Sequence, residues 1–470
     1  MLWACVLLPQ LAMDGVLRRR ESADEPLALV TGNAQSRSIL AVNASARAAG
    51  LRPGQRLAAA QALLTHFEVQ QHDPAATTHW HRLLAAWAYR YSAEVALWPH
   101  AIVLEVSKSL GLFGPWPDFE RKLRDDLRAL GFRHRITLAP TPRAAYVLAG
   151  LHDGLAVMSP EVLHSALASV PVHKARLPDG AADGLLGMGL RTLGALMRAP
   201  RDGLRRRFGA ALLDHLDHLT GTNQEILELY RPPDRLDLSM EWTHEIAHVE
   251  ALVFPLRRLT GDLATCLAGR DGGVQRFMVR LIHRDGTSTD VSIGLLTPER
   301  DPAMLFEHTR SRMERITLSQ PVVAMRLVAH ELPPFVPVGR DLFDTRPAHA
   351  LPLEQIRERL RSRLGDSAIA RWQATTDPRP EHAQSTARDI VVIGKPPALP
   401  RPSWLLDHPI PLRGPPPQIV AGPERLETGW WDGSDVRRDY YVVETAQGQR
   451  AWVFCAPGER GHWMLQGWFA

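Results

Sequence analysis

Eleven prolines crowd into residues 378–417 of this 470-residue chain, and no other feature constrains the fold as strongly. Proline lacks a backbone N–H and fixes φ, so neither a helix nor a central strand can cross such a run. A linker is therefore expected over 377–420, partly polyproline-like. The part before it is too long for one core, since a domain holds roughly 100–200 residues. The part after it, 421–470, holds nine aromatic residues, among them Trp430, Trp431, Tyr440, Tyr441, Trp452, Trp463 and Trp468. It is expected to be a small β domain built on an aromatic core. Hydrophobic residues at 45% and charged residues at 23% are those of a globular chain, which excludes wholesale disorder, a collagen-like repeat and a coiled-coil rod.

Cys5, Cys266 and Cys455 lie far apart and form no C-x-x-C pair, so neither a disulfide framework nor a thiolate zinc site is expected. A reducing, cytoplasmic setting fits. Met1 to Leu8 is apolar but lacks a basic leader and meets Pro9 long before it could span a bilayer, so it reads as a buried strand and no membrane is implied. Of the 55 basic residues only four are lysines, and the formal net charge is +4. Arginine forks suit phosphate, but a small surplus makes the placement of charge more informative than its total.

Residues 1–165 alternate apolar strands (Trp3–Leu8, Leu27–Thr31, Ala101–Val106, Arg135–Ala139) with helices (Arg82–Ser92, Asp118–Leu130), the pattern of an α/β domain. Ser36 to Leu64, rich in alanine, reads as a small helical insertion. Between Leu185 and Gly221, short helices are punctuated by Gly187, Gly189, Gly194 and Gly209. Leu238 to Leu332 reads as a second β-α-β-β-α-β unit with a turn at Asp285-Gly286. An amphipathic helix follows, with Leu353, Ile356, Leu360 and Leu364 on one face and Gly365 as its stop.

His244-Glu245-Ile246-Ala247-His248 has the letters of H-E-x-x-H, which on a helix puts two imidazoles on one zinc. Here the surroundings read as a strand, where a four-residue spacing separates the histidines by about 13 Å. No P-loop, G-x-S-x-G or G-x-G-x-x-G occurs, and no cofactor is implied. Leu186 to Leu196 has the glycine-punctuated form of a helix-hairpin-helix, whose turns offer backbone N–H groups to phosphates. Residues 186–210 carry Arg191, Arg198, Arg201, Arg205, Arg206 and Arg207 against Asp202 alone, which reads as a phosphate footprint, with a solvated basic face on an ordinary helical hairpin as the lesser alternative.

Three ordered motifs carry a resemblance. Leu104-Glu105-Val106-Ser107-Lys108-Ser109-Leu110-Gly111-Leu112-Phe113-Gly114 resembles the L-D-V-T-x-S-x-x-L-F-G stretch of Y-family translesion DNA polymerases. Val42-Asn43-Ala44-Ser45-Ala46-Arg47-Ala48-Ala49-Gly50-Leu51 resembles their C-N-Y-E-A-R-x-x-G-I finger motif, and Thr137-Leu138-Ala139-Pro140 their G-I-A-x-N-K segment. The resemblance implies an α/β multidomain fold of Y-family architecture. Its parts would be a ferredoxin-like palm over 1–165 with small fingers inserted at about 33–75, a helix-hairpin-helix thumb over 166–232 and a βαββαβ little finger over 236–335. A loop and helix at 336–376, the linker and the aromatic-rich β domain would follow.

The family's chemistry needs carboxylates that hold two magnesium ions. By the resemblance these positions fall on Leu7, His100 and Ala101, the finger tyrosine on Ala44 and the triphosphate lysines on Pro142 and Tyr146; only Arg47 is kept. Asp14, Glu94 and Glu105 are the nearest carboxylates in sequence. The chain is thus similar to the catalytically silent Y-family pseudo-polymerases of bacterial damage-induced mutagenesis cassettes. That resemblance implies a scaffold that binds primer–template DNA and the sliding clamp, and recruits a RecA-like protein and an error-prone replicative-type polymerase. An active polymerase with relocated metal ligands is the alternative. The expected DNA contacts are Arg191, Arg205, Arg206 and Arg207 in the thumb, and Arg276, Arg280 and Arg284 on one side of a little-finger strand. The clamp peptide would be Gly339-Arg340-Asp341-Leu342-Phe343, in which Asp341, Leu342 and Phe343 keep the family's ending. Adjacent aromatics on a strand point to opposite sides, so one each of Trp430/Trp431 and Tyr440/Tyr441 is expected to face a partner.

Overall fold

The computed structural model describes residues 1–20, 24–33, 36–178, 180–336, 353–365, 369, 372–375, 377–386 and 401–470. The chain divides into two compact units, Met1–Ser362 and Arg363–Ala470.

The first unit begins with β1 (Trp3–Leu7) and α1 (Leu11–Leu17). An insertion follows: β2 (Leu27–Thr31), β3 (Ser38–Val42), α2 (Ala44–Ala48), α3 (Leu57–Leu63) and β4 (Glu68–Gln71). Then come α4 (Pro74–Tyr89), β5 (Val95–Trp98), β6 (Ala101–Glu105), α5 (Leu110–Phe113), α6 (Trp116–Leu130) and β7 (Arg135–Ala139). Without the insertion this is a βαββαβ palm, an antiparallel sheet in the order β5-β6-β1-β7. All five residues of β1 are buried, because the sheet is covered on both faces. Ala4, Val6, Ile102, Leu104, Ile136 and Leu138 share one core with the buried sides of α4 and α6. Trp3, Cys5, Leu7, Ala101, Val103 and Ala139 share a second core with α7 (Pro142–Ala149) and the helices after it. Strands buried on both faces read as unbroken apolar runs. α6 buries Trp116, Phe119, Leu123 and Leu127 at three- and four-residue spacing and stops at Gly131, whose φ of +81° is left-handed.

The insertion corrects one expectation. It is not purely helical: β3 pairs with β2, and β4 joins β2 in parallel to complete a three-stranded sheet. Alanine-rich composition favours helix locally, but the β2–β3 ladder overrides it. Asn43 stitches this sheet to α2, its side-chain oxygen accepting the amides of Ala46 at 2.9 Å and Leu27 at 3.0 Å.

The helical module comprises α8 (Pro160–Ala168), α9 (Ala181–Gly187), α10 (Leu193–Met197), α11 (Arg201–Phe208) and α12 (Ala210–Thr220). The second βαββαβ series is β8 (Leu236–Ile246), α13 (Val253–Gly269), β9 (Val274–His283), β10 (Ser288–Glu299), α14 (Pro302–Met313) and β11 (Val322–Glu331). Its sheet runs β10-β9-β11-β8. α13 lies so close to α4 that a Cβ on Gly269 would stand 2.0 Å from the Ala86 carbonyl oxygen. Two turns earlier on α13, Asp262 bonds Arg18 of the palm at 2.6 Å with both side chains buried. The guanidinium carbon of Arg18 also lies 4.9 Å from the ring centroids of Trp80 and of Phe132. α15 (Leu353–Leu364) carries the chain across the division at Ser362.

The second unit contains a small hairpin, β12 (Trp372–Ala374) with β13 (Gln384–Thr386). Its five-stranded antiparallel sheet has the order β14-β18-β17-β16-β15. The strands are β14 (Trp404–Pro411), β15 (Gln418–Thr428), β16 (Val436–Glu444), β17 (Arg450–Cys455) and β18 (Met464–Trp468). The expected linker is therefore in part ordered structure. β13, β14 and the start of β15 all lie within 377–420, and β14 tolerates Pro409 and Pro411 because it is an edge strand that needs no outward N–H.

Candidate functional site: the palm floor and the arginine faces

Leu7 ends β1, Ala101 opens β6, and the two are direct cross-strand partners. Both belong to the core shared with α7 and the helical module. His100, in the tight β5–β6 turn, has φ of +55° and is exposed, and its carbonyl accepts the Leu8 amide at 2.7 Å. The floor is closed by groups from distant parts of the chain. His81 on α4 contacts the Ala101 carbonyl at 2.8 Å through Nε2, and burial lowers its pKa. The hydroxyl of Tyr146 on α7 donates to the Pro99 carbonyl at 2.8 Å, and its ring meets Trp98 edge-on at 4.9 Å. Arg176 lies 3.7 Å over the Tyr146 ring and donates to its hydroxyl.

This donor set does not fit the paired magnesium ions of the family's chemistry. Magnesium takes carboxylate and water oxygens in octahedral geometry, whereas Leu7 and Ala101 offer aliphatic carbon, and the nearby carboxylates are engaged elsewhere. Asp14 is buried and accepts the Arg133 amide at 2.8 Å, and its desolvation raises its pKa to about 6. Glu105 accepts the Ser107 amide at 2.9 Å, and Glu94 pairs with Lys108 at 3.0 Å; both stand at the end of the sheet away from Leu7. Pro142 and Tyr146 are buried in α7, while Ala44 and Arg47 are exposed on α2. Arg143, beside Tyr146, is ion-paired to Glu225 and lies 3.1 Å from His215 Nδ1. The other ring nitrogen of His215 contacts the Ala175 carbonyl at 3.1 Å, and burial next to Arg143 drives its pKa down to about 4. Nothing local in the sequence marks His81, Trp98 or Arg176, which meet only through tertiary packing.

The arginines expected to meet DNA fall in two groups. In the helical module Arg191, Arg205, Arg206 and Arg207 are exposed, the last three on α11. Arg201 is bound to Asp217 at 2.7 Å. On β9 the expected alternation holds: Phe277, Val279, Leu281 and His283 are buried and Arg276 is exposed on the opposite face. That face is already partly neutralised. Arg280 makes two bonds to Asp290 of β10, at 2.7 and 2.8 Å, and Arg284 bonds Glu245 at 2.6 Å. His244 and Glu245 lie on β8 and His248 just beyond it, so the H-E-x-x-H letters are on a strand, as expected.

Asp341, Leu342 and Phe343 lie outside the described residues. In the second unit both aromatic pairs depart from expectation. Trp430 and Trp431 sit in the β15–β16 turn and not on a strand, and both are exposed, at 78% and 59%. Tyr440 and Tyr441 are both buried. Tyr440 stacks on Trp452 at 4.2 Å and Tyr441 meets Trp463 edge-on at 5.1 Å. Each side of β16 is covered, so neither tyrosine ring is available at the surface.

Residues 14–150 match the impB/mucB/samB family, so the palm and its insertion form a domain of the Y-family polymerase class. Beyond that domain, the chain is similar to Protein ImuB of Caulobacter vibrioides, strains NA1000 and CB15. It is 29% identical over 449 residues, covering 86% of this chain and 95% of the relative. Among solved structures, a Y-family polymerase chimera of Dbh and Dpo4 aligns with TM-score 0.42 at 12% identity, over 71% of this chain and 99% of the other. DinB from Sulfolobus solfataricus aligns with TM-score 0.40 at 14% identity, over 72% and 100%. Among the described residues no helix is long and apolar enough to cross a membrane.

Proposed function

We propose that this protein is a non-catalytic Y-family homologue. It binds primer–template DNA and the sliding clamp, and recruits a RecA-like ImuA-type protein and an error-prone replicative-type polymerase for damage-induced translesion synthesis. One observation supports the non-catalytic reading above others: Leu7 and Ala101 pack side by side where the family's chemistry needs carboxylates. Ala101 is capped by His81, and Tyr146, at a lysine position of the family, bonds the Pro99 carbonyl. The deciding experiment is primer extension by purified protein with magnesium or manganese, with DNA binding measured on the same sample. Binding without extension is expected; template-dependent nucleotide addition refutes the scaffold and favours an active polymerase with relocated ligands.

Arg191, Arg205, Arg206, Arg207, Arg276, Arg280 and Arg284 are the proposed DNA contacts. Leu342 and Phe343, with Asp341, are the proposed clamp anchor, and alanine at both apolar positions should abolish capture by the clamp without changing the melting temperature. Trp430 and Trp431, large, exposed and adjacent, are the proposed partner anchors of the second unit. Their replacement by alanine should eliminate damage-induced mutagenesis in cells while stability stays within about 0.5 kcal/mol. Mutagenesis persisting in that double variant would place recruitment elsewhere.

A further inference from the structure

The proline-rich segment expected to be a linker contributes a buried arginine to the second unit. Arg379 stands between Pro378 and Pro380 and is only 4% exposed. An arginine is buried that deeply only when its guanidinium is paired, and here the partners come from two sides. Nε and Nη2 donate to the Asp377 carboxylate at 3.0 and 2.7 Å, while Nη1 and Nη2 straddle the carboxylate of Asp432, 53 residues on, at 3.1 and 2.6 Å. The backbone is prepared for this. A residue before proline is confined to extended conformations, and Arg379 has φ of −71° and ψ of 127°, with its amide bonded to Asp377 at 2.9 Å. An ion pair from Glu381 to Arg438 of β16, at 2.6 Å, ties the same segment to the sheet.

Asp432 belongs to the turn that carries Trp430 and Trp431. Its Oδ1 also accepts the Ser434 amide at 3.0 Å, so one carboxylate both closes the turn and meets the guanidinium. The turn folds so tightly onto Arg379 that a Cβ on Gly429 would stand 3.0 Å from Nη1 and 2.3 Å from the Ser434 carbonyl oxygen. Glycine also supplies the φ of +86° adopted there. The two indoles meet edge-on at 5.7 Å, and the guanidinium carbon of Arg379 lies 6.0 Å from the Trp431 ring centroid. Being largely exposed, the rings have no core of their own to hold them. We propose that Arg379 is the positioning residue of the tryptophan turn, holding it in the form in which both rings stand ready for a partner. The inference rests on the reading of Trp430 and Trp431 as partner anchors and extends their site to the proline-flanked segment. A turn fixed before binding spares the complex the cost of ordering two large side chains.

The test uses the full chain with 5-fluorotryptophan incorporated, the fluorine signals of Trp430 and Trp431 being identified by their loss in Trp430→Phe and Trp431→Phe. Arg379→Gln should move both signals to the position of an unstructured peptide, while those of Trp452 and Trp468, inside the sheet, stay in place. Arg379→Lys keeps the charge but not the fork and should restore the shifts only in part. In cells, Arg379→Gln should lower damage-induced mutagenesis at least ~10-fold, since the cost of ordering both rings then falls on the complex. Adding it to Trp430→Ala with Trp431→Ala should cause no further loss. Unmoved Trp430 and Trp431 signals in Arg379→Gln overturn the proposal. So do signals that move throughout the sheet, which would make Arg379 a support of the whole unit, and so does full mutagenesis with the turn released. If the double alanine variant is itself fully mutagenic, the partner reading fails, and the fluorine signals still decide whether Arg379 holds the turn.

Discussion

The first unit holds two βαββαβ series that spend their sheets differently. In the palm the first strand, β1, lies inside the sheet and both faces are covered; in the second series the last strand, β11, lies inside and one face is left open. A sheet covered on both sides can act only at its strand ends and turns, which is where Leu7, His100 and Ala101 stand. A sheet open on one side can act across its surface, which is where Arg276, Arg280 and Arg326 stand among Asp290 and Asp237. The contrast teaches that, on the proposed reading, a palm without chemistry and a DNA-binding face can coexist, because the two roles use different parts of two sheets. The two are nevertheless welded by α4 against α13 and by the buried Arg18–Asp262 pair.

That weld offers the largest effect. Asp262→Ala leaves the Arg18 guanidinium buried beside two aromatic rings without its counter-ion, and should cost about 3–5 kcal/mol. Arg18→Met with Asp262→Leu should recover much of it. Equilibrium denaturation reads both, and a loss under 1 kcal/mol in the single variant would break the idea that the two series share one core. Next comes acid. His215 titrates near 6.5 when unfolded but only at about 4 when folded, so the unfolded chain takes up a proton first. The group's contribution is whole above pH 6.5 and is lost as pH falls towards 4, by up to ~3 kcal/mol. His215→Gln should flatten that loss in denaturation curves at pH 7 and 4.5.

Smaller effects separate the open face from the covered one. Replacing Arg276, Arg280 and Arg284 with alanine should lower the slope of log affinity for duplex DNA against log salt. The drop should be between ~0.9, if Arg276 alone reaches a phosphate, and ~2.7 if all three do. Asp290→Asn, which releases Arg280 from its carboxylate, should raise affinity; an unchanged slope in the triple variant would move the contact to α11. The smallest expected change is in Asp14, whose raised pKa means that the folded protein holds the proton first and gains stability as pH falls from about 6 towards 4. Asp14→Asn should add less than ~1 kcal/mol at pH 7, because the Arg133 amide bonds a carboxylate better than an amide.

The palm was legible because strands buried on both sides are continuous apolar runs: β7 falls on its expected residues, and β1 and β6 end within one; β2 of the insertion, apolar for the same reason, also falls on its expected residues. β9 was legible for the opposite reason, its strict alternation. α4 begins at Pro74, eight residues before the expected start, although Asp73-Pro74 is a helix-opening signal. β4, Glu68–Gln71, has too little apolar character to announce itself and exists because β2 offers it an edge. Proline density hid β14 for want of any sequence cue that a strand will lie at an edge. The floor positions were placed by motif order, but Tyr146, Arg176 and His81 come together from separate helices and loops, and no spacing rule reaches that far. Tyr440 and Tyr441 were misjudged because alternation says which way a ring points and not whether that side is covered.

On the non-catalytic reading proposed above, the packing of Leu7 makes the palm a ratchet. Restoring one acid there would strip apolar contacts from a core shared with α7 and the helical module, and would place a charge against Ala101 and Val103 with no metal yet to meet it. Only after further changes at Ala101, His100 and Tyr146 could that charge be used. On that reading each single change towards a metal site costs stability before any metal can bind, so a floor filled with hydrocarbon resists being reopened.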